Sequence, residues 1–250
     1  MQSLKHQSVL IVGGSRGLGL GVVEALAAHD ANVTVIARDA ARLTDLKARL
    51  GVSVIAGDAT DPSLAESAIR EVRPSVLVLN AGATPVMSPL HKQTWESFSR
   101  NWETDVKATF HWIQAALKVP LPRGSRVLIS SSGAAIAGSP LSGSYAGAKR
   151  MIWLMANYAN GAASDLDLGI RFQALLVGQI VGSTELGHAA AEAYARKKGV
   201  TTEAFLAGFG EPLDPRDYGD HIAALLTNPK YESAPAFAIR GETGIEVLGA

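Results

Sequence analysis

Ser8-Val9-Leu10-Ile11-Val12-Gly13-Gly14-Ser15-Arg16-Gly17-Leu18-Gly19 is a short apolar run that passes directly into glycines spaced Gly-x-x-x-Gly-x-Gly. The run has the length of a buried strand. Beyond it, Leu18, Val22, Val23, Leu26 and Ala27 recur at the spacing of one helix face. A glycine turn between a strand and a helix lets the backbone come close to a ligand. It also points N–H groups and a helix N-terminus at one place, where a phosphate can be held.

Working outward, similar runs recur at residues 32–37, 52–56, 75–79, 126–130 and 170–177, with a weaker one at 236–239. Each is nearly continuous in apolar character, the pattern of parallel strands covered on both faces. Helical patterns separate them. Leu43, Leu46 and Leu50 line one face, and Leu64, Ala68, Ile69 and Val72 another. Asp61-Pro62 opens the second of these with an N-cap acid and a proline at the first helical position. Residues 95–119 and 145–164 are the two longest helical candidates, and 185–210 is an alanine-rich helical stretch between late strands. Alternation of strand and helix predicts an α/β fold: a doubly wound, mostly seven-stranded parallel sheet, a Rossmann fold, in a single domain over residues 1–250. Within it, residues 183–214 read as a helical insertion that covers a substrate site.

Composition narrows the chemistry. With 47% hydrophobic residues the chain can fill a substantial core, and its 23 basic and 23 acidic residues cancel. That balance supplies no basic field for nucleic acid or an anionic membrane. The absence of cysteine excludes disulfides, thiolate metal sites and cysteine nucleophiles. Six scattered histidines lack the His-Glu-x-x-His spacing, so no metal is expected. No apolar run reaches the roughly 18 residues of a spanning helix, and residues 1–7 lack a signal peptide's apolar stretch. The expected location is cytoplasmic.

The glycine turn has rival readings. Gly13-Gly14-Ser15-Arg16-Gly17 also fits Gly-x-Ser-x-Gly, the turn that presents a hydrolase's nucleophilic serine. Only a dozen residues precede it, which leaves little room for the oxyanion-hole elements such a turn needs, and no histidine has a distinctive partner. A Walker-type phosphate loop fails because no Lys-Ser/Thr follows the glycines. For a dinucleotide, charge at the end of the second strand selects the form: an acid suits free ribose hydroxyls, and cations suit a 2′-phosphate. The chain reads Ile36-Ala37-Arg38-Asp39, with Arg16 in the turn itself. Two guanidiniums favour NADP(H), and Asp39 keeps NAD(H) possible.

A second constellation handles protons. Tyr145 and Lys149 stand one helical turn apart, and Ser132, at the end of the fifth run, lies thirteen positions before Tyr145. An ammonium beside a phenol favours the phenolate, and a serine hydroxyl can donate to a carbonyl without changing charge. Ser130 and Ser131 adjoin Ser132, so these residues alone leave three serines open.

On these residues the chain resembles the short-chain dehydrogenase/reductase family, in its shorter single-domain branch, over nearly its whole length. The resemblance includes Asp58 after the third strand and Asn80-Ala81-Gly82 after the fourth. It implies that Ser132 orients a substrate carbonyl, that Tyr145 is the acid/base, and that Lys149 binds the nicotinamide ribose and favours the phenolate. The implied cofactor-binding set is Gly13, Ser15, Arg16, Gly17, Leu18, Gly19, Arg38, Asp58, Ala59, Asn80, Ala81, Gly82, Tyr145, Lys149, Gly178 and Ile180. The implied activity is NADP(H)-linked interconversion of an alcohol and a ketone. The resemblance also implies a homodimer or homotetramer built on the two long helices, where Trp95, Trp102, Trp112, Trp153 and Tyr158 could meet a second copy or fill the core. Ala134, Ile136, Met87, Leu186, Ala189, Phe205 and Phe209 are expected near the mouth of an apolar substrate site.

The chain departs from the family pattern in three places. Asp105 stands where an asparagine supports a water in the proton relay, and a carboxylate there can pair with Lys149. Val177-Gly178 replaces Pro-Gly, and Gly182 takes the place of a carboxamide-binding threonine, with Ser183 and Thr184 next; either could take over after a small loop shift, or the nicotinamide could be held more loosely. Val12 replaces a common threonine before the first glycine. These departures motivate an alternative: an NADP(H)-binding regulatory or weakly active relative.

Overall fold

The computed structural model describes residues 3–249. In chain order it runs β1 (Ser8–Val12), α1 (Gly17–Ala28), β2 (Asn32–Ala37), α2 (Ala40–Leu50), β3 (Ser53–Ala56), α3 (Pro62–Val72) and β4 (Val76–Leu79). Next come α4 (Trp95–Asn101) and α5 (Lys107–Lys118), joined by a π-helical turn at Trp102–Val106. β5 (Arg126–Ser132), the short α6 (Ala134–Ala137) and α7 (Tyr145–Asp165) follow. The chain closes with β6 (Arg171–Val177), α8 (Glu185–Lys198), α9 (Thr202–Ala207), α10 (Pro215–Thr227), β7 (Ala236–Arg240) and β8 (Gly244–Leu248).

The sheet order is β3-β2-β1-β4-β5-β6-β7-β8. The first seven strands are parallel, and β8 pairs antiparallel with β7 at the edge. Period-two alternation sends neighbouring side chains to opposite faces. Val9 and Ile11 pack with Val22 and Leu26 of α1 and Ile222 of α10. Leu10 and Val12 face the other layer, with Trp112 of α5 and Ile152 of α7. This double burial explains why the strands read as unbroken apolar runs. Where α1 crosses α10, a Cβ on Gly21 would fall 1.6 Å from the Pro215 carbonyl oxygen, so only glycine permits the approach.

The doubly wound, mostly parallel sheet in one domain matches the sequence reading. Three details differ. β8 is additional; none of its residues is fully buried, so it lacks the apolar run of a buried strand. The helix expected over 95–119 holds the π-helical turn at its centre. The stretch 185–210 is two helices, broken where Gly199 adopts a left-handed φ of 68° and Thr201 caps α9.

Candidate active site

A cleft of about 1300 Å³ runs along the carboxyl ends of the strands, where the strand order reverses around β1 and β4 and where open α/β sheets bind ligands. Its first wall is the glycine turn. Gly13 has φ 87°, and a Cβ there would lie 2.5 Å from the Ala81 nitrogen. Both facts require glycine, and the second shows that the β1 and β4 turns touch. Ser15, Arg16, Gly17 and Leu18 also line the cleft. Gly19 does not: its Cα packs against the Gly13 carbonyl, so its role is to seat α1 against the turn.

At the end of β2, Arg38 lines the cleft together with Arg42 from the first turn of α2. Asp39 points its carboxylate back into the chain. It accepts from the Arg42 backbone N–H at 3.1 Å as the N-cap of α2 and lies 3.3 Å from the Arg42 guanidinium. Asp58, with Ala59 beside it, accepts from the Thr60 N–H and hydroxyl, both at 2.9 Å. The backbone bond chiefly holds its carboxyl below the usual 3.8. Asn80, Ala81 and Gly82 line the cleft floor.

The three serines of β5 separate by alternation. Ser130 donates to Asn80 Oδ1 at 2.9 Å, and Ser131 turns to the far face to donate to the Lys149 carbonyl at 2.8 Å. Ser132 Oγ accepts from the Ala134 N–H at 3.2 Å, and its own proton has no acceptor among the described residues. Tyr145 lines the cleft and its phenol oxygen forms no hydrogen bond among the described residues. The Lys149 ammonium lies 5.6 Å from the Tyr145 ring centre.

Lys149 is itself held from below. Its Nζ lies 3.1 Å from Asp105 Oδ2, with side-chain exposures of 9% and 0%. Burial works to lower the ammonium's pKa, but Asp105 and Tyr145 outweigh it and hold the value above the usual 10.5. Asp105 sits in the π-helical turn, which brings its carboxylate inward. It accepts from the Ala83 N–H at 2.8 Å and the Thr104 hydroxyl at 2.8 Å, while Asn101 donates to the Ala83 carbonyl at 2.8 Å. π-helical turns of this kind occur often at functional sites.

The last wall is the loop after β6 with α8 and α9. Gly178 and Ile180 line the cleft, Gly178 against the Arg240 side chain. Gly182 packs on Leu206 instead. Thr184, one of two expected substitutes for the missing threonine, has its hydroxyl committed: it donates to the Val181 carbonyl at 2.9 Å and accepts from the Gly187 N–H at 3.0 Å. Ser183 lines the cleft with no such bonds. Met87, Ala134, Ile136, Leu186, Phe205 and Phe209 lie on the cleft as expected, and Ala189 does not. Trp112 fills the core and cannot meet a second copy: it is fully buried, and its indole N–H donates to the Ala59 carbonyl at 3.0 Å.

Sequence reasoning missed Arg42, Glu185 and Tyr194. Arg42 was within reach, since it follows Arg38 by four residues. Tyr194 joins α8 to the segment before α7: its hydroxyl lies 2.8 Å from Ser139 Oγ and accepts from the Leu141 N–H at 3.2 Å. No helix among the described residues is long and apolar enough to cross a membrane. No cluster of three or more potential metal-ligating side chains occurs among them.

A model of the short chain dehydrogenase family matches residues 7–195. Human L-xylulose reductase is 30% identical over 122 residues, 48% of this chain and 50% of that protein. Galactitol 2-dehydrogenase of Agrobacterium fabrum is 27% identical over 187 residues, 72% of each chain. The chain thus aligns with half the length of the human reductase. A crystal structure of a short chain dehydrogenase from Burkholderia cenocepacia in complex with NADP superposes with a TM-score of 0.75. It is 24% identical and covers 96% of this chain and 98% of that one, a likeness of fold.

Proposed function

Because this chain belongs to the short-chain dehydrogenase family, we propose that it is an NADP(H)-dependent oxidoreductase interconverting an alcohol and a ketone. The observation that carries the reading is the Tyr145 phenol, left without a partner in the cleft beside the Lys149 ammonium and the free proton of Ser132. The residues fit a dinucleotide. The bare backbone at Gly13 and the N-terminus of α1 suit a pyrophosphate. Arg16, Arg38 and Arg42 suit a 2′-phosphate, and Asp39 is occupied in capping α2. A bound nicotinamide would supply a hydride to the carbonyl carbon in reduction and accept it from the carbinol carbon in oxidation. Ser132 donates to the carbonyl oxygen and holds it toward Tyr145. Tyr145 gives that oxygen a proton in reduction and takes it back in oxidation. Lys149 keeps a positive charge beside the phenol. The helices α8 and α9, within residues 183–214, cover the substrate, whose apolar part meets Met87, Ile136, Phe205 and Phe209.

Galactitol 2-dehydrogenase and L-xylulose reductase are named for polyol and sugar chemistry, which makes hydroxylated ketones a reasonable part of a substrate panel. Self-association belongs to the same proposal. Trp95, Trp102 and Tyr158 expose 77%, 41% and 63% of their surface along α4, the π-helical turn and α7, enough to meet a second copy.

The test is NADPH oxidation against ketones, aldehydes and quinones, with Tyr145→Phe as the comparison. The variant is expected to lose about 10²- to 10⁴-fold in kcat/KM while still binding NADPH. Retained turnover would defeat the assignment. One observation favours a second reading, a dinucleotide-binding protein of low activity: the Asp105 carboxylate holds Lys149 at 3.1 Å. Tight NADPH binding without turnover on any substrate would favour it. A hydrolase using Ser15 is disfavoured, since no histidine lines the cleft among the described residues.

A further inference from the structure

We propose that Glu185 is a cofactor-discriminating latch. Its carboxylate fastens α8 to the guanidiniums that a 2′-phosphate would otherwise take, so NADP(H) competes with the latch and NAD(H) does not. The inference rests on the dinucleotide reading given above and adds a residue that selects between the two forms.

Glu185 is the first residue of α8, directly after its N-cap Thr184. One carboxylate oxygen is paired with Arg16 of the glycine turn, and the other lies 3.7 Å from Arg42 of α2. Three segments distant in the chain therefore meet around one carboxylate. The contact is part of a wider seating of α8 on the turn, because a Cβ on Gly17 would lie 3.6 Å from the Thr184 methyl carbon. All three charged residues line the cleft.

The physical argument is one of exchange. Arg16, Arg42 and Glu185 have side-chain exposures of 48%, 44% and 60%, so water screens the pairs and each is weak. A phosphate monoester carries close to two negative charges and three acceptor oxygens, and it suits a guanidinium fork better than one shared carboxylate does. A 2′-phosphate therefore displaces Glu185, and some of its binding free energy goes into opening the latch. A 2′-hydroxyl carries no charge to compete, so NAD(H) leaves the latch closed. By reciprocity, whatever holds α8 down weakens NADP(H) binding by the same factor. The other end of α8 is unaffected, because Tyr194 is fastened to Ser139 and Leu141 on the substrate side.

The experiment titrates the full-length protein with NADPH, NADH and adenosine 2′-monophosphate by calorimetry, without substrate. Wild type is compared with Glu185→Gln, an exposed substitution that keeps shape and removes charge. The variant is expected to bind NADPH and adenosine 2′-monophosphate about two- to fivefold more tightly, the scale of an exposed ion pair, with the NADH constant unchanged. In wild type, hydrogen exchange across residues 185–190 is expected to rise on adding NADPH but not NADH. An unchanged or weaker NADPH constant overturns the latch, as does equal tightening for NADH. Failure of wild type to bind either dinucleotide overturns the dinucleotide reading and the latch with it. Binding of both with an unaltered ratio overturns the latch alone.

Discussion

Two ionic clusters flank the same cleft, and they differ in almost everything except charge. Lys149 and Asp105 meet at 3.1 Å with almost no exposed surface, surrounded by donors from Ala83, Thr104 and Asn101. Arg16, Arg42 and Glu185 meet in water, with roughly half of each side chain exposed. Burial, more than distance, sets what each pair can do. A desolvated pair cannot lose one member without stranding the other, so it acts as a fixed part of the floor. A screened pair can exchange one anion for another at little cost, so it suits a movable wall.

The largest expected effect breaks the buried pair. Asp105→Ala strands the Lys149 ammonium and leaves the Ala83 N–H without its acceptor, and should cost about 3–5 kcal/mol in urea denaturation. Glu185→Ala should stay within about 0.5 kcal/mol in the same assay, as exposed substitutions usually do. Similar losses for both would end the contrast.

Asp105→Asn is the subtler version, since it keeps hydrogen bonding and removes the charge. In wild type the Lys149 value is raised in the folded state. Its contribution to stability is therefore fully present below the usual 10.5 and is lost as pH rises past the folded value. Without Asp105 the opposing effect of burial dominates, and the loss should begin at lower pH. Thermal midpoints recorded from pH 8 upward check this. Superimposable curves for the two proteins would show that Asp105 does not control the ammonium.

What could be read from the chain follows the same division between local and distant determinants. The glycine turn, the strand runs and the Tyr145/Lys149 spacing are local patterns with periods of their own, and the structure reproduces them. The choice among Ser130, Ser131 and Ser132 was also open to a period-two argument, since alternation puts Ser131 on the opposite face from its neighbours. The π-helical turn was hidden because one extra residue barely disturbs an apolar pattern over 95–119, although it decides where Asp105 points. Thr184 is a related case. A threonine just before a helix more often caps it than binds a ligand, and here it bonds Gly187. Glu185 carried no local signal. Its partners come from the first turn and from α2, and only the folded arrangement brings them together.

The smallest expected effect separates the pairs without mutation. Raising ionic strength from about 0.01 M to about 1 M shortens the Debye length from roughly 30 Å to roughly 3 Å. Screening of that kind reaches Glu185, Arg16 and Arg42 because solvent ions can approach all three. It does not reach Asp105 and Lys149, whose carboxylate has no exposed surface. With no dinucleotide added, hydrogen exchange at residues 185–190 should quicken about twofold with salt, the scale of a few tenths of a kcal/mol for an exposed pair. Exchange across residues 102–106 should stay constant. If both segments quicken together, salt is loosening the whole molecule and the pairs are not independent. If neither responds, hydrogen bonds and packing hold α8 against the glycine turn, and charge contributes nothing measurable there.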